Sequence, residues 1–80
     1  MKIYLFIIFL ITLPAGLAAN EEVFFKDGSA AYKNNNWGDA VRKFSQIGSP
    51  SFEKFYNLGN SYYKSGEIGY AIQNYERARL

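Results

Sequence analysis

The stretch of sequence that decides the fold is residues 52–80, which read FEKFYNLGNSYYKSGEIGYAIQNYERARL. Its apolar residues recur at steps of three and four, first at Phe55, Leu58 and Tyr62 and then at Ile68, Ala71, Ile72 and Tyr75. Such spacing puts them on one face of a helix. The polar tripeptide between the two patterns, residues 65–67, is long enough only for a tight connection. The stretch therefore predicts two amphipathic helices that fold back on each other as an antiparallel hairpin.

The same pattern occurs once more, 31 residues earlier. A shift of 31 positions superposes seven identical pairs, which are Glu22 on Glu53, Phe24 on Phe55, Gly28 on Gly59, Tyr32 on Tyr63, Lys33 on Lys64, Gly38 on Gly69 and Ala40 on Ala71. Three further pairs keep their polarity, namely Phe25 with Tyr56, Val41 with Ile72 and Phe44 with Tyr75. A repeat of about thirty residues is typical of stacked helical units. We predict an all-α fold of two hairpins, in residues 21–51 and 52–80.

Small residues and turn residues define the packing of each hairpin. We expect Gly28 to meet Ala40, and Gly59 to meet Ala71, where the two helices of a hairpin cross, because small side chains permit close approach. Residues 34–36 provide the first connection. Between the hairpins, Gly48 suits a left-handed helix end, and Ser49 or Ser51 suits the cap of the next helix around Pro50.

The first residues have the order of a secretory signal. Lys2 precedes an uncharged apolar run, and Pro14 and then small residues follow it. Cleavage after Ala18 puts the small residues Gly16 and Ala18 in the two subsites and is the better steric match, whereas cleavage after Ala19 would put Leu17 and Ala19 there. The alternative is an uncleaved anchor, because the apolar run is just long enough to span a bilayer. We therefore assign residues 1–19 to a signal peptide or anchor and residues 20–80 to the folded domain.

Composition excludes most kinds of site. The chain of 80 residues has no cysteine and no histidine, and its formal net charge is +2. It therefore has no thiolate, no imidazole base and neither cysteine nor histidine as a metal ligand, and its weak charge does not favour nucleic acid. The one pair of adjacent carboxylates, Glu21 and Glu22, suits a helix N-terminus. We predict no enzyme activity, no metal and no cofactor, and we interpret the aromatic residues as core.

Residues 52–80 resemble the tetratricopeptide repeat. The resemblance rests on small and large residues at the positions of that signature, which are Phe55, Leu58, Gly59, Tyr62, Ala71, Tyr75 and Ala78. The first hairpin is similar in Phe24, Gly28, Ala40 and Phe44, but Asp27 replaces the usual leucine and the unit is shorter than the common 34-residue period. The resemblance implies a short right-handed solenoid of two hairpins.

The short period and the phrases 55–64 and 66–72 also resemble the exported repeat proteins of the bacterial aerotolerance operon, the BatE type. That resemblance covers essentially the whole chain. It implies export to the bacterial periplasm or the outer face of the inner membrane. It also implies work beside membrane-embedded Bat-type proteins that carry von Willebrand factor A domains.

In a solenoid of this type the first helix of each unit lines a concave groove that binds a peptide or a partner's helix. The repeat register gives ten groove candidates, Phe25, Ser29, Tyr32, Lys33, Glu53, Tyr56, Asn57, Asn60, Tyr63 and Lys64. The recurring Tyr–Lys pairs suit an extended segment with an acidic group. The alternative for each residue is an ordinary solvated helix face.

Two other interpretations stay open at this point. One is a membrane-anchored or membrane-surface small protein with no specific peptide ligand; its lysines and arginines, however, mix with acids and form no basic face. The other concerns stability, because solenoids of this type usually need three units. Ile72, Tyr75 and Leu80 lack a following helix, so we expect a truncated copy of a longer protein, a homodimer, or a covering partner.

Overall fold

The computed structural model describes residues 20–80, and this part of the chain is all-helical, with no strand. Helix α1 occupies residues 20–33, α2 Trp37–Ser45, α3 Phe52–Lys64 and α4 Ile68–Arg79. The predicted all-α class is confirmed. Helix α3 packs on both α2 and α4. The predicted signal segment, residues 1–19, lies outside the described residues.

The two turns inside the hairpins have the same geometry at positions 31 residues apart. After α1, the Asn36 amide donates to Ala31 and the Asn35 amide donates to Tyr32; after α3, Glu67 and Gly66 make the equivalent bonds. This paired bonding ends a helix and requires a left-handed residue at one position. Asn35 fills it with φ 62° and Gly66 with φ 87°. The sequence repeat is therefore a repeat in backbone conformation.

The connection between α2 and α3 was predicted only in part. Ser51 caps α3 as expected, because its hydroxyl accepts a hydrogen bond of 3.1 Å from the Lys54 amide. The prediction for Gly48 was wrong: α2 ends at Gln46 in a right-handed conformation, and Gly48 has no positive φ. The Lys54 ammonium donates to the Ile47 carbonyl instead, 2.5 Å away, and so binds one of the carbonyls exposed beyond the helix end.

Glu21 ties the start of α1 to the same connection. The Ser49 amide donates to its carboxylate over 2.7 Å. The Ser49 side chain, and then this backbone N–H, hold the pKa of Glu21 below its usual value. Both effects favour the charged carboxylate, so the contact favours a fold in which α1 lies beside the segment that leads into α3.

Glycine lets an aromatic ring lie directly on the first helix of each hairpin. A Cβ on Gly28 would stand 2.7 Å from the Phe44 ring, and a Cβ on Gly59 would stand 2.5 Å from the Tyr75 ring. Both distances are too short for real carbon atoms. The prediction placed alanines opposite these glycines; Ala40 and Ala71 are indeed buried, but the rings make the closest contact.

The core lies between the hairpins. Its fully buried members are Ala40, Phe44, Ile47 and Leu58, three from the first hairpin and its end and one from α3. In the second hairpin the buried polar residues Ser61 and Asn74 each hydrogen-bond a carbonyl four residues earlier, Asn57 and Tyr70. The Ser61 hydroxyl and the Asn74 amide nitrogen thus find acceptors within their own helices.

Among residues 20–80, no helix has the length and hydrophobicity needed to cross a membrane.

Candidate functional site

A small depression lies between α1 and α3. Its volume is about 150 Å³, and its lining consists of Ser29, Tyr32, Lys33, Phe44, Asn57 and Asn60. Five of these six are groove candidates from the sequence, and the sixth is the buried ring that forms the floor. The structure therefore brings together residues from two equivalent helices that lie 24 or more positions apart in sequence.

Helix periodicity explains why these side chains converge. Ser29, Tyr32 and Lys33 lie within one turn of α1, and Asn57 and Asn60 are three residues apart on α3, so each set projects from one helix face. The neighbouring residues that face the core, such as Gly28 and Leu58, are buried. The core pattern thus determines which polar residues point into the depression.

The other five predicted groove residues do not line the depression. Phe25 is half-buried, and its ring packs against Phe44 with 6.3 Å between centroids. Glu53, Tyr56, Tyr63 and Lys64 are exposed along α3. Tyr63 is 58% exposed. These four extend the same surface of α3 beyond the depression on both sides.

Tyr75 joins this surface, although the sequence analysis placed it only in the core. Its ring covers Gly59, and its hydroxyl donates to the Asn60 side-chain oxygen over 2.6 Å. Tyr56 lies next to it, with 6.1 Å between ring centroids. The bond uses the Asn60 oxygen as acceptor and so orients the amide, and it leaves both hydrogens of the Asn60 amide nitrogen available as donors. The sequence did contain a sign of this role: the position filled by Phe44 in the first hairpin is filled by Tyr75 in the second. Phenylalanine suffices for core packing there, so the added hydroxyl indicates a hydrogen bond.

The environment of Tyr75 keeps its phenol neutral. Partial burial raises the pKa of Tyr75, and the neighbouring Tyr56, Tyr32 and Tyr63 raise it further. A neutral phenol is the form that donates to Asn60. The phenol therefore keeps its proton throughout the neutral pH range.

Trp37 lies at one end of this surface, and the sequence analysis did not include it among the groove candidates. Tyr32 meets it edge-on with 5.1 Å between centroids, and the Lys64 ammonium lies 5.9 Å from the centre of its ring. A cation over an indole face is held in place electrostatically. Lys33 is the last residue of α1 and Lys64 the last residue of α3, so an ammonium group stands at the end of each of these two helices. The acidic Glu53 lies at the opposite end of α3.

The depression is small and its lining is mostly polar. The depression is smaller than the roughly 300 Å³ at which pockets begin to enclose small-molecule ligands. Two amide side chains, one serine hydroxyl, one tyrosine ring and one lysine line it, a set that can contact a single side chain or a carboxylate. Among the described residues no group of three metal-ligating side chains is close enough to hold an ion.

A second depression, of about 270 Å³, lies on the other side of α3, between α3 and α4. None of the predicted groove residues lines it. Two cations flank the Phe55 ring there, the Lys54 ammonium at 5.5 Å and the Arg77 guanidinium at 5.9 Å from its centre. Lys54 already donates to Ile47, so these contacts serve the packing of the hairpins.

Comparison of the chain with protein-family models, with curated proteins and with solved structures finds no match to any of the three. The interpretation of the surface therefore rests on its residues and geometry.

Proposed function

We propose that the chain is a non-enzymatic protein-interaction module of the tetratricopeptide type, and that the surface between α1 and α3 binds an extended peptide or a helix of a partner protein. The observation that carries the proposal is the convergence of Ser29, Tyr32, Lys33, Asn57 and Asn60 on one depression. Tyr32 also packs on Trp37 and Asn60 also accepts from Tyr75, so these contacts hold two of the five side chains in place at the depression.

The charge distribution indicates the kind of segment bound. Lys33 and Lys64 are the last residues of α1 and α3 and lie at one end of the surface. These cations favour an acidic side chain or a C-terminal carboxylate at that end. Asn57 and Asn60 offer amide groups to a ligand backbone, which gives affinity without demanding one sequence.

The apolar N-terminal segment and the BatE resemblance support a proposal about where in the cell the domain works. We propose that residues 1–19 direct export, that the domain works in the periplasm or at the outer face of the inner membrane, and that its partner belongs to a membrane-associated assembly of the Bat type. In this assembly the chain is a scaffold, and the partner supplies the bound segment.

Site-specific photo-cross-linking in the producing cell tests the proposed groove. A benzophenone amino acid at Asn57 of the full chain should yield one discrete adduct with another protein, and the same group at exposed Gln46 should not. Replacing Lys33 and Lys64 by glutamate should remove the adduct, because the acidic segment is then repelled.

The matched control reverses two exposed cations on the second helices of the hairpins, Arg42 on α2 and Arg79 on α4, and should leave the Asn57 adduct intact. An adduct that survives reversal of Lys33 and Lys64, or that forms equally well from Gln46, would contradict the groove. Mass spectrometry of the adduct names the partner and locates the segment attached.

A further inference from the structure

The second hairpin has an apolar surface that no described residue covers. It consists of five large side chains, Phe52, Tyr56, Tyr63, Ile68 and Ile72, which are between 47% and 61% exposed. We call this set the open face. It is distinct from the depression between α1 and α3, whose lining residues it does not include.

The residues of the first hairpin that are equivalent to the open face are covered by α3. The residues equivalent to Tyr56, Tyr63, Ile68 and Ile72 are Phe25, Tyr32, Trp37 and Val41, and all four are half-buried. Helix α3 lies against that part of the first hairpin: Leu58 joins its core, and Lys64 lies over Trp37. The open face therefore has the composition of a packed surface but no neighbour.

We propose that a second copy of this chain covers the open face, so that two copies form a two-fold symmetric dimer. The area is adequate: at roughly 100 Å² for each partly exposed large side chain, two copies bury about 1,000 Å², the lower limit for a specific interface. The interface leaves the six lining residues of the depression uncovered, but it shares Tyr56, Tyr63 and Lys64 with the groove candidates, so a second copy and a bound segment would compete for that part of α3.

The two ends of the open face are complementary to each other. Phe52 and Tyr56 stack at one end, with 5.3 Å between their ring centroids, and Tyr63, Ile68 and Ile72 lie at the other. A two-fold axis that sets α3 antiparallel to its copy places the aromatic stack of each chain on the isoleucines of the other. It also brings Glu53, exposed near the start of α3, towards Lys64 of the copy.

Head-to-tail stacking of copies is disfavoured by Asp27. In the covered hairpin, Leu58 of α3 is only 5% exposed and fills the core. The equivalent residue of α1 is Asp27, so an α1 laid on the open face of another copy would bury a carboxylate among apolar groups. A closed dimer through identical faces avoids that cost.

Cysteine cross-linking tests the dimer, since the native chain has no cysteine. The full chain carrying Glu53→Cys and Lys64→Cys should form a disulfide-linked species of twice the chain mass. These positions are about 16 Å apart along one helix, at 1.5 Å per residue, so they cannot pair within a chain. Each single substitution should give little cross-linking.

Two controls make the result decisive. Ile72→Glu, or the milder Ile68→Ser, should abolish the cross-link without reducing helical circular dichroism, because both side chains are exposed in the monomer. Pairing Lys64→Cys with Gln46→Cys should give none. The proposal is overturned if single variants cross-link as well as the double variant, if no dimer forms, or if the adduct contains a different protein.

Discussion

The two hairpins have the same turns and the same glycine–ring contact, yet their outer surfaces differ. Phe44 is 2% exposed, while the equivalent Tyr75 is only half-buried and sends its hydroxyl to Asn60. Val41 is half-buried, while the equivalent Ile72 is 57% exposed. The local sequence thus determines the hairpin, and the presence of a following helix determines which of its residues become core.

The largest expected difference between the hairpins concerns their second helices. Phe44→Ala should lower the free energy of unfolding by about 3–5 kcal/mol, because it empties a buried site. Ile72→Ala, at a concentration low enough for a monomer, should change it by less than about 0.5 kcal/mol. Urea unfolding followed by circular dichroism measures both. Equal losses would show that the two faces are covered alike.

The glycines provide a second comparison, within each hairpin. Gly28→Ala and Gly59→Ala should each cost about 1–3 kcal/mol, because the new methyl group displaces an aromatic ring. Gly38→Ala and Gly69→Ala meet no atom within 4 Å and should each gain roughly 0.5–1 kcal/mol from helix propensity. Thermal unfolding of the four variants checks these signs. A stabilising Gly59→Ala would contradict the close contact with Tyr75.

The Tyr75 hydroxyl exists only in the second hairpin, so its removal should make the hairpins more alike. Tyr75→Phe should cost about 0.5–1.5 kcal/mol through the lost bond to Asn60. Tyr63→Phe, at an exposed position, is the control and should have no measurable effect. An equal loss in both variants would argue against the Asn60 bond.

The same group gives a pH dependence at the alkaline end. Because the folded chain raises the pKa of Tyr75, its contribution to stability is complete below the ordinary value of 10.0 and is lost as pH rises through the folded pKa. Phenolate absorbance of the folded chain should therefore include a tyrosine that ionises late, and Tyr75→Phe should remove part of that late phase.

The smallest expected effect concerns Glu21, whose equivalent in the second hairpin is the exposed Phe52. Because the fold lowers the pKa of Glu21, the contact with Ser49 contributes above about pH 4.5 and is lost as pH falls through the folded pKa. Glu21→Gln should thus be slightly less stable than the native chain at neutral pH and equal to it in acid. Urea midpoints across this range would reveal it, and a difference that persists in acid would assign the effect to another cause.

Much of the fold could be predicted from the sequence because its signals are local. Apolar spacing located the helices, the tripeptides 34–36 and 65–67 located the turns, and Ser51 was recognisable as a cap. The prediction for Gly48 was wrong because glycine adopts right-handed and left-handed conformations about equally well, so its presence near a helix end does not fix the backbone there. The segment after α2 is instead held by the hydrogen bond from Lys54 to the Ile47 carbonyl, and that bond forms only once α3 has packed against α2.

The candidate site was predictable in its position but not in its detail. The repeat register placed Ser29, Lys33 and Asn57 on one surface, since helix faces follow from periodicity alone. The roles of Tyr75 and Trp37 depend on side-chain directions across two helices, which spacing does not specify. A tyrosine in a phenylalanine position is the kind of sequence difference that does indicate such a role.

The central claim is that one 31-residue arrangement is used twice, with an aromatic ring lying on a glycine in each hairpin. Nuclear magnetic resonance tests it most directly, because an aromatic ring shifts the resonances of protons held against its face. The account predicts ring-shifted Hα signals and ring contacts for both Gly28, with Phe44, and Gly59, with Tyr75. A spectrum in which either glycine shows ordinary Hα shifts and no contact with its ring would contradict it.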